Sequence, residues 1–290
     1  MVNLLRLLRP LYLLLGALTY ILGVGLAAYL GNPYDALSFW LGLVSTLLAL
    51  VSMFLLSEVF RPLIDPILPD ETPAVRRSLR DTMLYTSVAC LTASVVSVFI
   101  IYNSGHLSSF ALLFIVLLLV LVISYAVPPL RLVNRGFGEI VVALHLAYLI
   151  PSVAFLLQAS RYHRFLAMIV FPLTALALAS FIVLDFPSYA RDRKYNRGTL
   201  LARIGWERAV LMHNLLTVVA YLILLAAPLF GISLALIWPG FLTLPFAIFQ
   251  IVSLRNIAQG GRPIWNMLTV TAVAVFGLTA YFLTLTFWLR

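Results

Sequence analysis

The chain has 290 residues, of which 63% are hydrophobic and only 10% are charged, less than half the charged fraction typical of a soluble domain. This composition excludes a soluble protein, and because apolar segments run from Leu11 to Trp288 it also excludes a soluble domain on a single anchor. The formal net charge of +9 would suggest nucleic acid binding in a soluble protein, but in a multi-pass membrane protein Lys and Arg record topology, so we expect no nucleic acid partner.

Long apolar segments separated by charged or turn-forming residues predict nine transmembrane helices. Their predicted ranges are 11–31, 36–60, 83–103, 108–127, 138–158, 165–184, 209–230, 233–254 and 265–288. The chain is therefore expected to be an all-α integral membrane protein in which residues 1–290 form a single transmembrane domain.

The basic residues predict how these helices are oriented. Every Lys and Arg except Arg161, Arg164 and Arg290 falls in the N-terminal segment or in the connections after helices two, four, six and eight. By the positive-inside rule that side is cytoplasmic, so the N-terminus lies inside and the C-terminus outside. With no transit peptide at its start, the chain is predicted to reside in the cell inner (cytoplasmic) membrane of a prokaryote.

The acidic residues are biased to the same side, which the positive-inside rule does not explain. Every Asp and Glu except Asp35 lies on or near the basic side, including Asp70 in the connection after helix two. Acidic residues contribute little to topology. Carboxylates mixed with cations on one face instead indicate a site for a phosphate and its divalent metal.

Two long cytoplasmic segments, about 57–81 and 185–208, carry most of these charges. In the second, Asp185 and Asp192 are seven residues apart, about two helical turns, and would share one face of a continuous helix with Ser188 between them. Glu58 and Asp65 have the same spacing in the first. Pro62 and Pro187 make a continuous helix doubtful in both segments, because proline disfavours helix at the preceding residue.

Three segments resemble the UbiA superfamily of intramembrane prenyltransferases. "SYAVPPLRLVNRGFGEI", residues 124–140, is similar to the Tyr-Ser-x-Pro-Pro-x-Arg-Leu segment and following Gly-x-Gly-Glu of the menaquinone-type branch. "DFPSYARDRKYNRGTLLARIGWERA", from residue 185, is similar to the second Asp-rich motif, and "SEVFRPLIDPILPDETP", from residue 57, occupies the place of the first. Helix number and motif order also fit the family, so the resemblance spans most of the chain.

The resemblance implies a nine-helix bundle around a central cavity that opens to the cytoplasmic side and to lipid. It further implies transfer of a prenyl chain from a polyprenyl diphosphate to a lipophilic aromatic acceptor, in the biosynthesis of a lipid quinone or a related prenyl lipid. Mg2+ would be held by carboxylates and would neutralise the diphosphate leaving group. The expected metal ligands are Glu58, Asp65, Asp185 and Asp192.

Further site residues are expected from the same resemblance and from the affinity of Arg and Lys for phosphate. Asp65 and Asp192 are the expected catalytic acids, and Tyr125 would line the acceptor pocket or act as an interfacial anchor. The expected diphosphate-binding residues are Arg61, Arg77, Arg80, Arg131, Lys194 and Arg197.

Both motifs depart from the family pattern. Where the first motif has Asn, Asp and Asp, this chain has Ser57, Arg61 and Asp65, and Ser188 stands at an acid position of the second motif. Arg61 is three residues from Glu58 and four from Asp65, so on a helix it would pair with both and place a fixed cation at the metal position.

Two mechanisms are therefore open. In the first, the four carboxylates still hold Mg2+ and Arg61 binds phosphate directly, so the protein is a prenyltransferase. In the second, the metal site is lost, and the chain is a pseudoenzyme that serves as a subunit of a larger membrane complex or as a lipid-binding or pigment-binding module.

Other residues have a simpler structural interpretation beside the functional one. Arg76, Arg77 and Arg80 would equally serve as orientation signals. Glu139, in the first turn of helix five, is explained by the helix dipole. His145 is expected to be neutral and hydrogen-bonded to a neighbouring helix. The "GVG" at 23–25 is expected to be a helix-packing feature.

Overall fold

The computed structural model describes residues 7–68 and 71–290 and is all-helical over these ranges. Nine of the described helices are long and apolar enough to cross a membrane. In chain order they are α1 (Pro10–Tyr29), α2 (Ala36–Val59), α3 (Pro73–Asn103), α4 (Ser109–Ala126), α5 (Gly138–Gln158), α6 (Arg164–Lys194), α7 (Trp206–Leu225), α8 (Leu234–Ala258) and α9 (Trp265–Trp288). The chain is thus a multi-pass membrane protein, as its composition predicts. Arg6 and Asp70, two of the charges used to predict orientation, lie outside the described residues.

The helices are arranged around α5 and α6, whose residues are mostly buried, whereas most of α3 faces outward. The most extensive pairings are α2 with α3, α1 with α5, α8 with α9, and α6 with α7. Close approach of α1 and α5 depends on Gly23, because a Cβ there would collide with the carbonyl of Pro151. Gly25 meets the ring of Trp288 on α9 in the same way, so the helix-packing interpretation of "GVG" is confirmed.

Polar side chains inside the bundle form hydrogen bonds between helices. The Oγ atoms of Ser45 on α2 and Ser94 on α3 are 3.0 Å apart. His213 on α7 bonds Gln250 on α8 at 3.0 Å. In contrast, neither ring nitrogen of buried His145 has a partner among the described residues, so the predicted bond from His145 to a neighbouring helix is wrong. His145 is the first residue of a π-helical turn within α5.

The start of α3 differs most from the sequence prediction. The helix begins at Pro73 and not at residue 83. Thr72 caps it by accepting a hydrogen bond from the Val75 amide at 3.3 Å, and proline is well suited to the first helical position. The charged residues of this stretch therefore lie on helical turns that precede the apolar span.

Three connections meet at one end of the bundle, which we call the loop end. They comprise residues 60–68, 127–137 and 195–205. α2 ends at Val59, so Arg61 to Asp65 are not helical, as Pro62 predicts. α6 continues past Pro187 through a single 3-10 turn, Phe186–Ser188, and ends at Lys194. This continuation brings Ser188 and Asp192 to the loop end.

Candidate functional site

The segment after α2 is folded around the buried guanidinium group of Arg76. Arg76 donates to the carbonyl oxygens of Pro62 at 2.7 Å and Leu63 at 3.1 Å, and it forms an ion pair of 2.6 Å with Glu71. A further bond of 3.3 Å reaches the carbonyl of Asp65. Arg76 therefore fixes the backbone that presents Asp65. Sequence reasoning missed this role, because an arginine in a run of arginines carries no local sign of burial.

Asp65 is buried and is bound by an arginine from the other motif segment. Arg197 donates from Nε to Asp65 Oδ2 at 2.6 Å and from Nη2 to Asp65 Oδ1 at 2.8 Å, a bidentate pair. Burial opposes the charge of Arg197, but the hydrogen bonds and the charge of Asp65 raise its pKa above the usual value. Both carboxylate oxygens of Asp65 are thus engaged by a cation.

Asp192, the preserved acid of the second motif, is also buried and paired. Its Oδ1 lies 3.4 Å from Nη1 of the same Arg197, and its Oδ2 accepts a hydrogen bond of 2.7 Å from Ser188 Oγ. Ser188 lies between Asp185 and Asp192, as the helical spacing predicts, and also donates to the Asp185 carbonyl at 3.1 Å. Arg197 therefore links the acids of both motifs.

Arg61 makes the pair of contacts predicted from its spacing, although the segment is not helical. Its Nε lies 3.0 Å from Glu58 Oε2 and 3.4 Å from Asp65 Oδ2. Burial lowers the pKa of Arg61, and the neighbouring charge of Glu58 opposes this shift. Ser57, at the first motif position, bonds its own helix at the Phe54 carbonyl.

Two further predicted residues, Arg131 and Glu139, belong with these ion pairs to a layer of charged side chains at the loop end, which we call the charged layer. Burial also lowers the pKa of Arg131, with Glu58 opposing, and Arg131 Nε is buried without a hydrogen-bond partner among the described residues. Glu139 accepts hydrogen bonds from the Leu200 amide at 3.0 and 3.1 Å. It therefore ties α5 to the segment after α6, beyond the helix-dipole role expected for it.

Glu139, Ser188, Asp192 and Arg197 line a cavity of about 380 Å³ at the loop end, which we call the loop-end cavity. Its wall carries charged side chains on one part and aromatic rings on another. The charged residues are Arg9, Arg191, Arg197, Glu139, Asp185 and Asp192, and the aromatic ones are Tyr12, Tyr125 and Phe181. Arg9 lies over the ring of Phe54, 4.9 Å from its centroid. The cavity can hold a polar head beside an apolar group.

Three of the predicted phosphate-binding residues lie elsewhere. Arg77 and Arg80 line a separate groove of about 800 Å³ at the start of α3, which shares no lining residue with the loop-end cavity. Lys194 is exposed and lies 5.3 Å from the ring centroid of Tyr195. Of the residues predicted to contact phosphate, the structure places Arg197 in the wall of the cavity and Arg61 and Arg131 close to Asp65.

The four predicted metal ligands do not form a donor set that fits Mg2+ in this arrangement. Asp65, Asp192 and Glu58 each face a guanidinium group at ion-pair distance. Among residues 7–68 and 71–290, no three His, Cys, Asp or Glu side chains are grouped so as to hold a metal ion. Mg2+ requires oxygen ligands in near-octahedral order, and here the oxygens are already bound by two arginines.

The whole fold is similar to that of solved UbiA homologues. A UbiA homolog from Archaeoglobus fulgidus, solved bound to GPP and Mg2+, gives a TM-score of 0.67 at 17% identity, covering 97% of this chain and 99% of that chain. The same homolog bound to DMAPP and Mg2+ gives 0.66 at 16% identity over the same shares. The apo UbiA homolog from Aeropyrum pernix K1 gives 0.61 at 15% identity, covering 93% and 96%. No protein-family model and no curated protein matches the chain.

Proposed function

We propose that this chain, which has the UbiA-type fold, is a UbiA-superfamily protein of the cell inner (cytoplasmic) membrane that binds an isoprenoid lipid without metal-dependent prenyl transfer. The observation that carries this proposal is the pairing of Arg197 with both Asp65 and Asp192. By the positive-inside rule the loop end and the N-terminus face the cytoplasm, and the C-terminus lies outside.

These ion pairs argue against metal-dependent prenyl transfer because of how the diphosphate leaves in that reaction. A diphosphate leaves an allylic carbon only when its negative charge is neutralised, which Mg2+ would do when bound. The carboxylates that would hold Mg2+ here are instead neutralised by guanidinium groups in a buried layer. Removing one member of such a layer leaves an unpaired buried charge, which is strongly unfavourable.

The expectation of an isoprenoid ligand is supported by the fold and by the cavity. The similar homologue from Archaeoglobus fulgidus was solved with DMAPP and with GPP, and its fold covers nearly the whole of this chain. The aromatic part of the cavity wall, with Tyr12, Tyr125 and Phe181, suits an unsaturated chain or a quinone ring. Such a protein would act as a lipid-binding or pigment-binding module, or as a subunit of a larger membrane complex.

The second candidate is an active polyprenyltransferase of the menaquinone-type branch. It is favoured by one acid being preserved in each motif, on a fold similar to homologues bound to a prenyl diphosphate and Mg2+. In this candidate a prenyl chain passes from its diphosphate to a lipophilic aromatic acceptor in lipid-quinone or related prenyl-lipid biosynthesis. Arg191 and Arg197 would contact the diphosphate, and Tyr125 would lie near the acceptor.

Two measurements on the purified protein separate these candidates. Lipid extracted from the protein after mild purification is analysed by mass spectrometry, and the protein is separately incubated with Mg2+, polyprenyl diphosphates and a panel of aromatic acceptors. We expect a bound isoprenoid lipid and no prenylated product. Product formation would establish the second candidate, and the absence of both lipid and product would overturn both.

A further inference from the structure

The charged groups around the loop-end cavity cancel one another. The wall carries the guanidinium groups of three arginines and the carboxyl groups of three acids. Immediately behind it, Arg61 and Arg131 lie near Glu58 and Asp65. Among the described residues, this layer therefore has no formal net charge when every group is ionised.

A prenyl diphosphate carries about three negative charges near neutral pH, as estimated from the ionisation of phosphoryl groups. In a metal-dependent site the bound cations supply the opposing charge, but the carboxylates here do not fit a metal. If Arg197 turned toward a diphosphate, buried Asp192 would lose its cationic partner and buried Asp65 would keep only the longer contact to Arg61. A multiply charged head would therefore upset the balance of charge in the layer.

We infer that the loop-end cavity selects isoprenoid lipids whose head carries no net charge, such as a prenol or a prenylated quinone, and discriminates against prenyl diphosphates. This inference rests on the proposed function and specifies its ligand. The arginines of the layer would donate hydrogen bonds to a hydroxyl or carbonyl oxygen, and a carboxylate would accept one from a hydroxyl, while the aromatic rings contact the chain or ring system.

Farnesol and farnesyl diphosphate test this directly, because they share one chain and differ only in the head. Each competes with a photoreactive farnesol analogue for labelling of the purified full-length protein, once in EDTA and once in Mg2+. We expect farnesol to compete at a concentration roughly tenfold or more below that of the diphosphate. Mg2+ should leave this ratio unchanged.

Neutralising one acid of the layer gives a second test, because a charge-balanced site and a metal-dependent site predict opposite changes in diphosphate binding. Asp192→Asn keeps the hydrogen bond from Ser188 and removes one negative charge, so diphosphate competition should improve roughly tenfold in EDTA. In a metal-dependent site the same change would weaken diphosphate binding. Asp81→Asn is the matched control, since this acid lines the separate groove. Its neutralisation should change the binding of neither farnesol nor farnesyl diphosphate.

Asp65→Asn repeats the test at the other motif, and thermal unfolding of each variant verifies that it is folded. The inference is overturned if the wild-type protein binds farnesyl diphosphate at least as well as farnesol, or if Asp192→Asn weakens diphosphate binding. If the photoreactive analogue labels the protein and neither prenyl compound competes, or if nothing labels it, the proposed function fails, and the inference fails with it.

Discussion

Arg197 and Asp65 are 132 positions apart in the chain, and their side chains form two parallel hydrogen bonds of 2.6 and 2.8 Å. This pair joins the segment after α2 to the segment after α6, and through Asp192 it includes the end of α6 itself. A cation supplied by the chain thus lies between the two acids that the motif pattern associates with a metal. The first consequence concerns stability.

Arg197→Gln should destabilise the protein by roughly 3 kcal/mol, because Asp65 would be left buried without its bidentate partner. Thermal unfolding in detergent measures the change. Adding Asp65→Asn to this variant should recover most of the loss, since the unpaired charge is then removed. Arg193→Gln is the control, because Arg193 is exposed and its described side-chain contacts are with Tyr189 alone. An Arg197 variant as stable as this control would show that the pair is not formed.

Arg76 and Arg77 are adjacent in sequence, and the structure gives them opposite roles. Arg76→Gln should open the segment after α2 and cost about 3 kcal/mol, because several carbonyl oxygens and Glu71 lose their buried partner. Limited proteolysis should then cut within residues 61–68. Arg77→Gln, at an exposed position, should leave the cleavage pattern unchanged. Equal sensitivity of the two variants would contradict the assigned role of Arg76.

Mg2+ should not raise the Tm of the wild-type protein relative to EDTA, because Asp65 and Asp192, one acid from each motif, are paired with arginine. A double variant that restores the motif acids, Arg61→Asp with Ser188→Asp, removes a cation and adds two carboxylates. It should gain about 2.7 kcal/mol of stability at a Mg2+ concentration one hundred times its Kd. Thermal unfolding with and without Mg2+ checks both statements, and stabilisation of the wild type by Mg2+ would contradict the pairing.

Arg77→Gln with Arg80→Gln should leave farnesol binding to the loop-end cavity unchanged, because both arginines line the separate groove. Arg191→Gln, in the cavity wall, should change the affinity for farnesol several-fold, about 1 kcal/mol, because it removes one charged group of the balanced layer. Competition against the photoreactive analogue measures both variants. An effect of the Arg77 and Arg80 changes as large as that of Arg191→Gln would mean that the two sites communicate.

Gly23→Ala should destabilise the bundle by roughly 2 kcal/mol or more, because the added Cβ meets the Pro151 backbone, which has no flexible end to move aside. Gly16→Ala on the same helix is the matched control, since its nearest neighbours are the flexible ends of Leu146 and Leu50 at 3.2 Å. Unfolding temperatures of the two variants give the comparison. Similar values would show that α1 and α5 are not in close contact at Gly23.

Sequence patterns correctly predicted those features that depend on residues close together in the chain. Apolar length predicted the spans, glycine spacing predicted the packing surface of α1, and the positions of Glu58 and Asp65 on either side of Arg61 predicted its two ion pairs. They did not predict the start of α3, because its first turns are charged and were assigned to the connection. Thr72 and Pro73 in fact begin the helix there. Sequence patterns also assigned an interhelical hydrogen bond to His145, whereas His213 makes one.

By itself the sequence determined a multi-pass helical membrane protein and the UbiA-like arrangement of its motif segments, because helix formation in a membrane depends on the length and apolarity of each segment. Only the tertiary structure decided which charges are partners. Arg197 appeared in the sequence as one of several cations near a motif, and its binding to Asp65 depends on two loops that meet at one end of the bundle. Which charges pair depends on their distance in space, and sequence spacing does not give this distance for residues in different segments of the chain.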